Sequence, residues 1–339
     1  MKPIPIALLA TVALIFIGIL FVSIPVESQA EPIINVEKKK QPAGTAMKEL
    51  ETQNALEKYS IDVVGGSAPD FDARLLQYVG NIKLRSDEIS NLAKPLSVLV
   101  FNRSKKDVVG CSLRWTFSRA DGREMVFPQI QSSPGVLMGM QPIDPKMQGK
   151  TSLISAGGVK LFSFDYGIEQ IFDRARLDRS RPPSMNASAD YSFRDEISNS
   201  RLNRNNLLGS FVRFSVSVDG IFFSDGTFVG PDKFFFFDSM VGRVQARKDL
   251  LAILLKSSRG RLTLSQDITA YVSKNMNFKT SERQVPDDKE SAFRKGYQSY
   301  ARSLAEEISN RRSIETDKSI SDGFLRVDKP GNVTLKKLE

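Results

Sequence analysis

The sequence predicts an α+β protein that is mainly β: an antiparallel β-sandwich with a helical C-terminal segment packed on it. Three observations predict this. Short runs of alternating apolar and polar residues recur between turn-forming clusters across residues 96–229. The chain's one tryptophan, Trp115, falls on the apolar side of such a run. Beyond residue 239 the apolar spacing changes to three and four residues, the period of a helix.

The densest signal is at residues 96–117. Leu96, Val98 and Val100 alternate with Ser97, Leu99 and Phe101, a strand with at least one deeply buried face. Residues 102–107 are polar and turn-forming. In the next run Val109, Cys111, Leu113, Trp115 and Phe117 share one face. Val108, Ser112, Arg114 and Thr116 take the other, with Gly110 between. Asp121-Gly122 marks a turn, after which Met125-Val126-Phe127 returns antiparallel. The two runs read as antiparallel strands at the centre of a sandwich.

This stretch of about 30 residues resembles the central strands of immunoglobulin or fibronectin type III-like domains, which implies an immunoglobulin-like sandwich. It departs from antibody domains because Cys111 has no cysteine partner. The whole chain also resembles uncharacterised exported bacterial proteins, a likeness that implies no activity.

With 339 residues and 41% hydrophobic content, the chain can bury a sizeable core in one or two domains. Its net charge of +9 favours anionic surfaces, envelope polymer or anionic lipid, over any one identified partner; nucleic acid is not expected. There is no histidine, which excludes Ser-His-Asp and Cys-His catalysis and His-based zinc sites. One cysteine makes no internal disulfide. There is no phosphate-binding glycine loop, dinucleotide fingerprint or fixed-period repeat. No cofactor or metal is expected.

At the N-terminus, Lys2 precedes an apolar run at residues 6–24. Two readings compete over residues 1–30. A signal peptide would end at Ser28-Gln29-Ala30 and be cut before Glu31, giving a secreted or periplasmic protein. A retained membrane anchor is long enough nearly to span the hydrocarbon core. Both export the rest, with the positive end inside. Residues 31–70 read as a polar linker holding Lys38-Lys39-Lys40 and a short helix at 45–59.

The sandwich is expected over residues 71–238. Residues 75–84 read as its first strand, with Leu76, Tyr78 and Ile82 inward, and residues 159–164 and 211–218 as later ones. Between them, residues 169–206 read as an Arg-rich insertion carrying Arg174, Arg176, Arg179, Arg181, Arg194, Arg201 and Arg204. Arginine suits bidentate capture of phosphate or carboxylate, so these seven are the candidate anion-binding residues. The acids interleaved with them nearly balance the arginines, which favours a solvated excursion over an anion site. Asp219-Gly220 and Asp225-Gly226 read as tight hairpin turns. Asp219, Asp225 and Asp232 do not have the spacing of an EF-hand calcium loop, and turn chemistry accounts for them.

Phe234 to Phe237 cannot all face one core from a strand, so they are either buried on both faces or feed a helix. Residues 239–312 form the helical segment: a helix at 240–256, a second over 262–278, where Ile268-Tyr271-Val272 also fits a strand, and a third opened by Asp287 and Glu290. The third carries the stripe Phe293, Tyr297, Tyr300, Leu304, Ile308. Residues 313–339 read as a flexible tail.

The expected role is a non-catalytic extracytoplasmic protein that binds or supports a cell-envelope partner. Two alternatives stand beside it: an exported hydrolase using carboxylates or a bound calcium ion, and an anion-binding surface built from the seven arginines.

Overall fold

The computed structural model describes residues 50–53, 56–79, 93–94, 96–133, 152–177, 209, 211–257, 261–277, 285–327 and 334–338. These fall within one unit, Thr45–Glu339. The architecture is α+β. The apolar run at residues 6–24 lies outside the described residues; among those described, no helix is long and apolar enough to cross a membrane.

Two sheets form the β part. One has three antiparallel strands in the order β2 (Ile61–Gly65), β3 (Ser97–Asn102), β6 (Val159–Ser163). The other runs β5 (Glu124–Ser132), β4 (Val108–Ser118), β7 (Arg213–Phe223), β8 (Thr227–Val229), β9 (Lys336–Leu338), with β1 (Leu50–Gln53) also on β7. This larger sheet is mixed, not wholly antiparallel, because β1 and β9 pair in parallel with β7 and β8.

The sheets share one core. Ile61, Val63, Val98, Val100 and Phe162 from the smaller meet Cys111, Leu113, Trp115, Phe117, Phe214, Val216 and Val218 from the larger. The opposite face of the smaller sheet is covered by α1 (Phe71–Val79) and α2 (Tyr166–Leu177). Strand β3 is therefore buried on both sides: Val98 and Val100 face the other sheet, while Leu99 faces the helices.

The two runs at 96–117 are strands, but they sit in different sheets and do not pair with each other. Asn102 explains the crossing. Its buried Nδ2 donates to the carbonyls of Lys106, Ile154 and Ser155 at 2.7, 3.3 and 3.1 Å, and its Oδ1 accepts from Ser104. That fixes a sheet-to-sheet crossover at the polar turn between the two runs. A register shift between Val108 and Gly110 then sends Val109 out of the shared core to pack with Phe222, Phe228, Phe236 and Met240.

Further departures have equally local causes. Residues 71–79 are helix α1, not a strand: Phe71, Leu75, Tyr78 and Val79 are buried at helical spacing and Leu76 is exposed. The expected linker at 31–70 contains β1, a 3-10 turn at Glu57–Tyr59 and β2. The expected insertion at 169–206 opens as helix α2, with Ile168 and Phe172 buried four residues apart. Asp219-Gly220 makes no hairpin, since β7 runs through it.

The helices follow. Phe236 and Phe237 open α3 (Phe236–Ser257), so the phenylalanine run feeds a helix, with Phe236 anchored on the outer face of the large sheet. Next come α4 (Arg261–Met276) and α5 (Lys289–Arg311). Asp288, not Asp287, caps α5, accepting the Ser291 amide at 2.7 Å. The expected flexible tail includes α6 (Asp317–Val327), whose Ile320 and Phe324 join the core of α3, α4 and α5. It also supplies β9.

Candidate functional site

Among the described residues a cleft lined by polar groups lies between α3, α4 and α5. Its volume is ≈350 Å³. Asp249, Ile253 and Lys256 come from α3 at steps of four and three residues. Asp267, Ala270, Tyr271 and Lys274 come from α4 at the same periodicity, so one stripe of each helix faces the cleft. Ser257, Asn275 and, from α5, Tyr297 complete it.

Both acids hold hydrogen-bond donors. Asp249 accepts from the Tyr297 hydroxyl at 2.8 Å and from Gln245 Nε2 at 2.7 Å. Asp267 accepts from the Ser257 hydroxyl. Burial, then the adjacent Asp249 carboxylate, pushes the Tyr297 phenol up to about 12. Burial likewise raises Tyr271, with Tyr297, Tyr300 and Asp249 adding to it. Both phenols are neutral at physiological pH. The Tyr271 ring is only 6% exposed, and its hydroxyl has no hydrogen-bond partner among the described residues. An unpaired buried hydroxyl costs about 1–3 kcal/mol. Lys256 and Lys274 are exposed and match the two carboxylates in number, so the lining is formally neutral.

No family model, curated protein or solved structure matches the chain.

A second polar cluster lies where β5, β6 and α2 meet. Glu169 is 2% exposed and accepts from the Ser163 amide, Gln129 Nε2 and Gln131 Nε2 at 2.6, 2.7 and 2.5 Å. Gln129 also receives the Trp115 indole N–H at 2.8 Å. Burial pushes the Glu169 carboxyl up to about 7, against the pull of the Lys160 ammonium and these donors. Lys160 pairs with Asp173 at 3.2 Å, and the Tyr78 hydroxyl donates to the same carboxylate. This cluster ties the edges of both sheets to α2. Cys111 is buried, and burial raises its thiol far above the ordinary range, with Glu169 adding to the rise; it behaves as a small apolar side chain.

The aspartates weighed for calcium are taken up by the fold. Asp219 accepts the amides of Lys233 and Phe234 at 2.8 and 3.2 Å. Asp232 accepts the Phe237 amide and pairs with Lys337 at 2.7 Å. Asp225 accepts the Thr227 amide and pairs with Lys106. Among the described residues no three metal-ligating groups converge.

Of the seven candidate arginines, Arg174 and Arg176 lie on α2, while Arg179, Arg181, Arg194, Arg201 and Arg204 lie outside the described residues. Sequence reasoning missed the cleft acids. The four- and three-residue spacing of Asp267, Tyr271 and Lys274 was a visible polar stripe, but nothing in it named α3 and α5 as the facing walls.

Proposed function

We propose that the chain is a non-catalytic extracytoplasmic protein that binds or supports a partner at the cell envelope. The observation that carries this is the apolar run at residues 6–24, set behind Lys2 and ahead of a polar, lysine-bearing stretch. The non-catalytic part draws on Glu169, Asp219 and Asp232, each of which holds donors of the fold itself. We read the two sheets as an immunoglobulin-like β-sandwich because their inner faces fill one core. That architecture serves binding roles of many kinds and specifies none.

The test is expression with its own N-terminus in a bacterial host, followed by fractionation, intact mass and cross-linked pull-down. A mass starting at Glu31 in the soluble envelope fraction supports the proposal, as does an intact chain in the membrane fraction. Recovery of an uncut chain in the cytosol overturns it.

Hydrolysis by paired carboxylates is the second reading, favoured by Asp249 and Asp267 lining one cleft. It requires turnover of a glycoside or ester substrate that Asp267→Asn abolishes while the fold is kept.

A further inference from the structure

Residues 334–338 are held at the end of the large sheet by contacts that another chain could supply unchanged. β9 pairs in parallel with β8, with Lys336 opposite Thr227, Lys337 opposite Phe228 and Leu338 opposite Val229. The Lys336 amide donates to the Gly226 carbonyl at 3.0 Å. Alternation sorts the side chains. Leu338 turns to the core shared by the two sheets, and Leu335 packs with Phe222, Phe228, Phe236 and Met240 on the outer face. On that outer face Lys337 enters a cage. Its ammonium lies 2.7 Å from Asp232 Oδ2, 5.6 Å from the Phe228 ring centre and 6.0 Å from that of Phe237.

The cage is built without the segment that fills it. The Asp232 side chain is fully buried and accepts the Phe237 amide on Oδ1 at 3.1 Å. Its backbone is fixed by donation to the Asp219 carbonyl at 2.8 Å. The Phe228 and Phe237 rings pack 5.6 Å apart. Asp238, in the first turn of α3, adds a second carboxylate that feels both Asp232 and Lys337. Its Oδ2 is buried and holds no hydrogen bond among the described residues. A buried carboxylate needs a cation beside it, so the site demands a lysine from an extended strand. β9 has three residues, and the preceding helix, α6, belongs to the core of α3, α4 and α5. Residues 334–338 therefore take their order from the β8 edge.

We propose that this edge is a strand-docking site for a second copy of the chain: residues 334–338 of one molecule occupy the β8 edge and Asp232 cage of another, and the reverse. Three observations choose this occupant. The pattern that the site reads, Leu335, Lys337 and Leu338 on an extended strand, is the chain's own. Exchange replaces each contact of the segment by an identical one, so only the tether favours the closed chain. Residues 328–333 alone separate α6 from the segment, and short connections between elements invite exchange. A short tether acts as a local concentration of about 1 mM, so exchange sets in as the protein approaches that concentration. The inference goes beyond the envelope reading and does not rest on it, because the β8 edge is the same wherever the chain resides.

The experiment mixes two full-length variants. Lys337→Ala keeps the cage and weakens the segment that fills it. Asp232→Asn keeps an acceptor for the Phe237 amide and removes the charge, leaving a competent segment without its cage. Sedimentation velocity reads association from about 10 μM to about 1 mM. The expected result is that wild type dimerises toward the upper limit and that neither variant dimerises alone. The equimolar mixture should form a one-to-one dimer at about tenfold lower concentration than wild type, because both closed forms are weakened while one exchanged contact is intact. A fluorescent peptide of residues 332–339 is the second probe, and it does not depend on the folding of Asp232→Asn. It should bind the Lys337→Ala chain more tightly than wild type, and the same peptide with Lys337→Ala should bind about tenfold more weakly. The inference is overturned if the mixture stays monomeric throughout, if either variant alone dimerises as readily as the mixture, or if the peptide binds equally with and without its lysine. A peptide that binds while no chains pair would reject the second copy as occupant and leave the edge to some other lysine-bearing strand. Export is read separately from the mass of the N-terminus, so either reading can fail alone.

Discussion

Gly296 and Gly242 set how closely α5 and α3 approach, and replacing Gly296 with alanine should separate them. A Cβ on Gly296 would fall 2.0 Å from the Ser239 carbonyl oxygen and 2.9 Å from its Cα. The contact is reciprocal: a Cβ on Gly242 would fall 2.2 Å from the Phe293 carbonyl oxygen. Both obstacles are backbone, so no side chain can turn away. The 2.0 Å approach is about 1.4 Å short of ordinary contact, and the helices must part to supply it. Alanine would by itself favour a helix by about 0.5–1 kcal/mol. Overpacking of a close interface costs about 1–3 kcal/mol, and a backbone clash on this scale belongs at the upper end. The net effect of Gly296→Ala is therefore a loss of about 2 kcal/mol, or a fall in Tm of roughly 4–8 °C. Calorimetry, with helical circular dichroism as a second probe, measures it. Gly323→Ala in α6 is the control, because its Cβ would meet only the Arg311 guanidinium at 2.8 Å, the far end of a flexible side chain. That variant should stay within about 1 kcal/mol of wild type. A Gly296→Ala protein as stable as wild type would refute the close-approach argument.

Two further outcomes follow from buried carboxylates. The Glu169 carboxyl is raised in the fold from 4.5 to about 7, so the folded state holds its proton more tightly than the unfolded chain. Its contribution is complete below pH 4.5 and is lost as pH rises through 7, about 3 kcal/mol in all. Urea midpoints from pH 4.5 to 8 should decline in wild type, and the decline should flatten in Glu169→Gln; equal slopes would reject the assignment. Asp219→Ala leaves the Lys233 and Phe234 amides without their acceptor and should cost about 1–3 kcal/mol. Hydrogen exchange at those two amides should accelerate, and unchanged rates would show that another group holds them.

Strand identity was legible wherever alternation and burial coincide. Residues 159–163 and 213–218 lie in strands, and residues 124–132 return on β4 across the turn at Gly122, which has φ 81°. Sheet membership was not legible. Alternation reports which residues share a face, not which strand lies alongside, and the β3-to-β4 crossover depends on Asn102 reaching Ile154 and Ser155 some fifty positions away. The stripe on α5 shows a similar limit. Leu304 and Ile308 of the expected stripe are buried, whereas Phe293, Tyr297 and Tyr300 are only partly so, and Ala292, Gly296, Ala301 and Ala305 complete the buried face. Small residues fill that interface because the helix backbones nearly touch, and a hydrophobicity pattern gives glycine no weight. In α6, Ile320 and Phe324 were hidden among Asp317, Lys318, Asp322 and Arg326, and they become core only against α3, α4 and α5.

The two Asp-Gly pairs show where local chemistry stops deciding structure. At Asp225-Gly226 the glycine takes φ 84°, the aspartate accepts the Thr227 amide two residues on, and the chain turns between β7 and β8. At Asp219-Gly220 the same dipeptide stays in the strand. The register shifts by one residue against β4 there, and the Asp219 carboxylate reaches the amides of Lys233 and Phe234 instead of a neighbour. Gly220 is required for a different reason: a Cβ there would fall 2.3 Å from the Phe228 ring. One pair is a turn because its bonds close within four residues. The other is a bulge because its bonds close across fifteen, tying the strand to the chain that leads into α3 and, through α3, to the cleft.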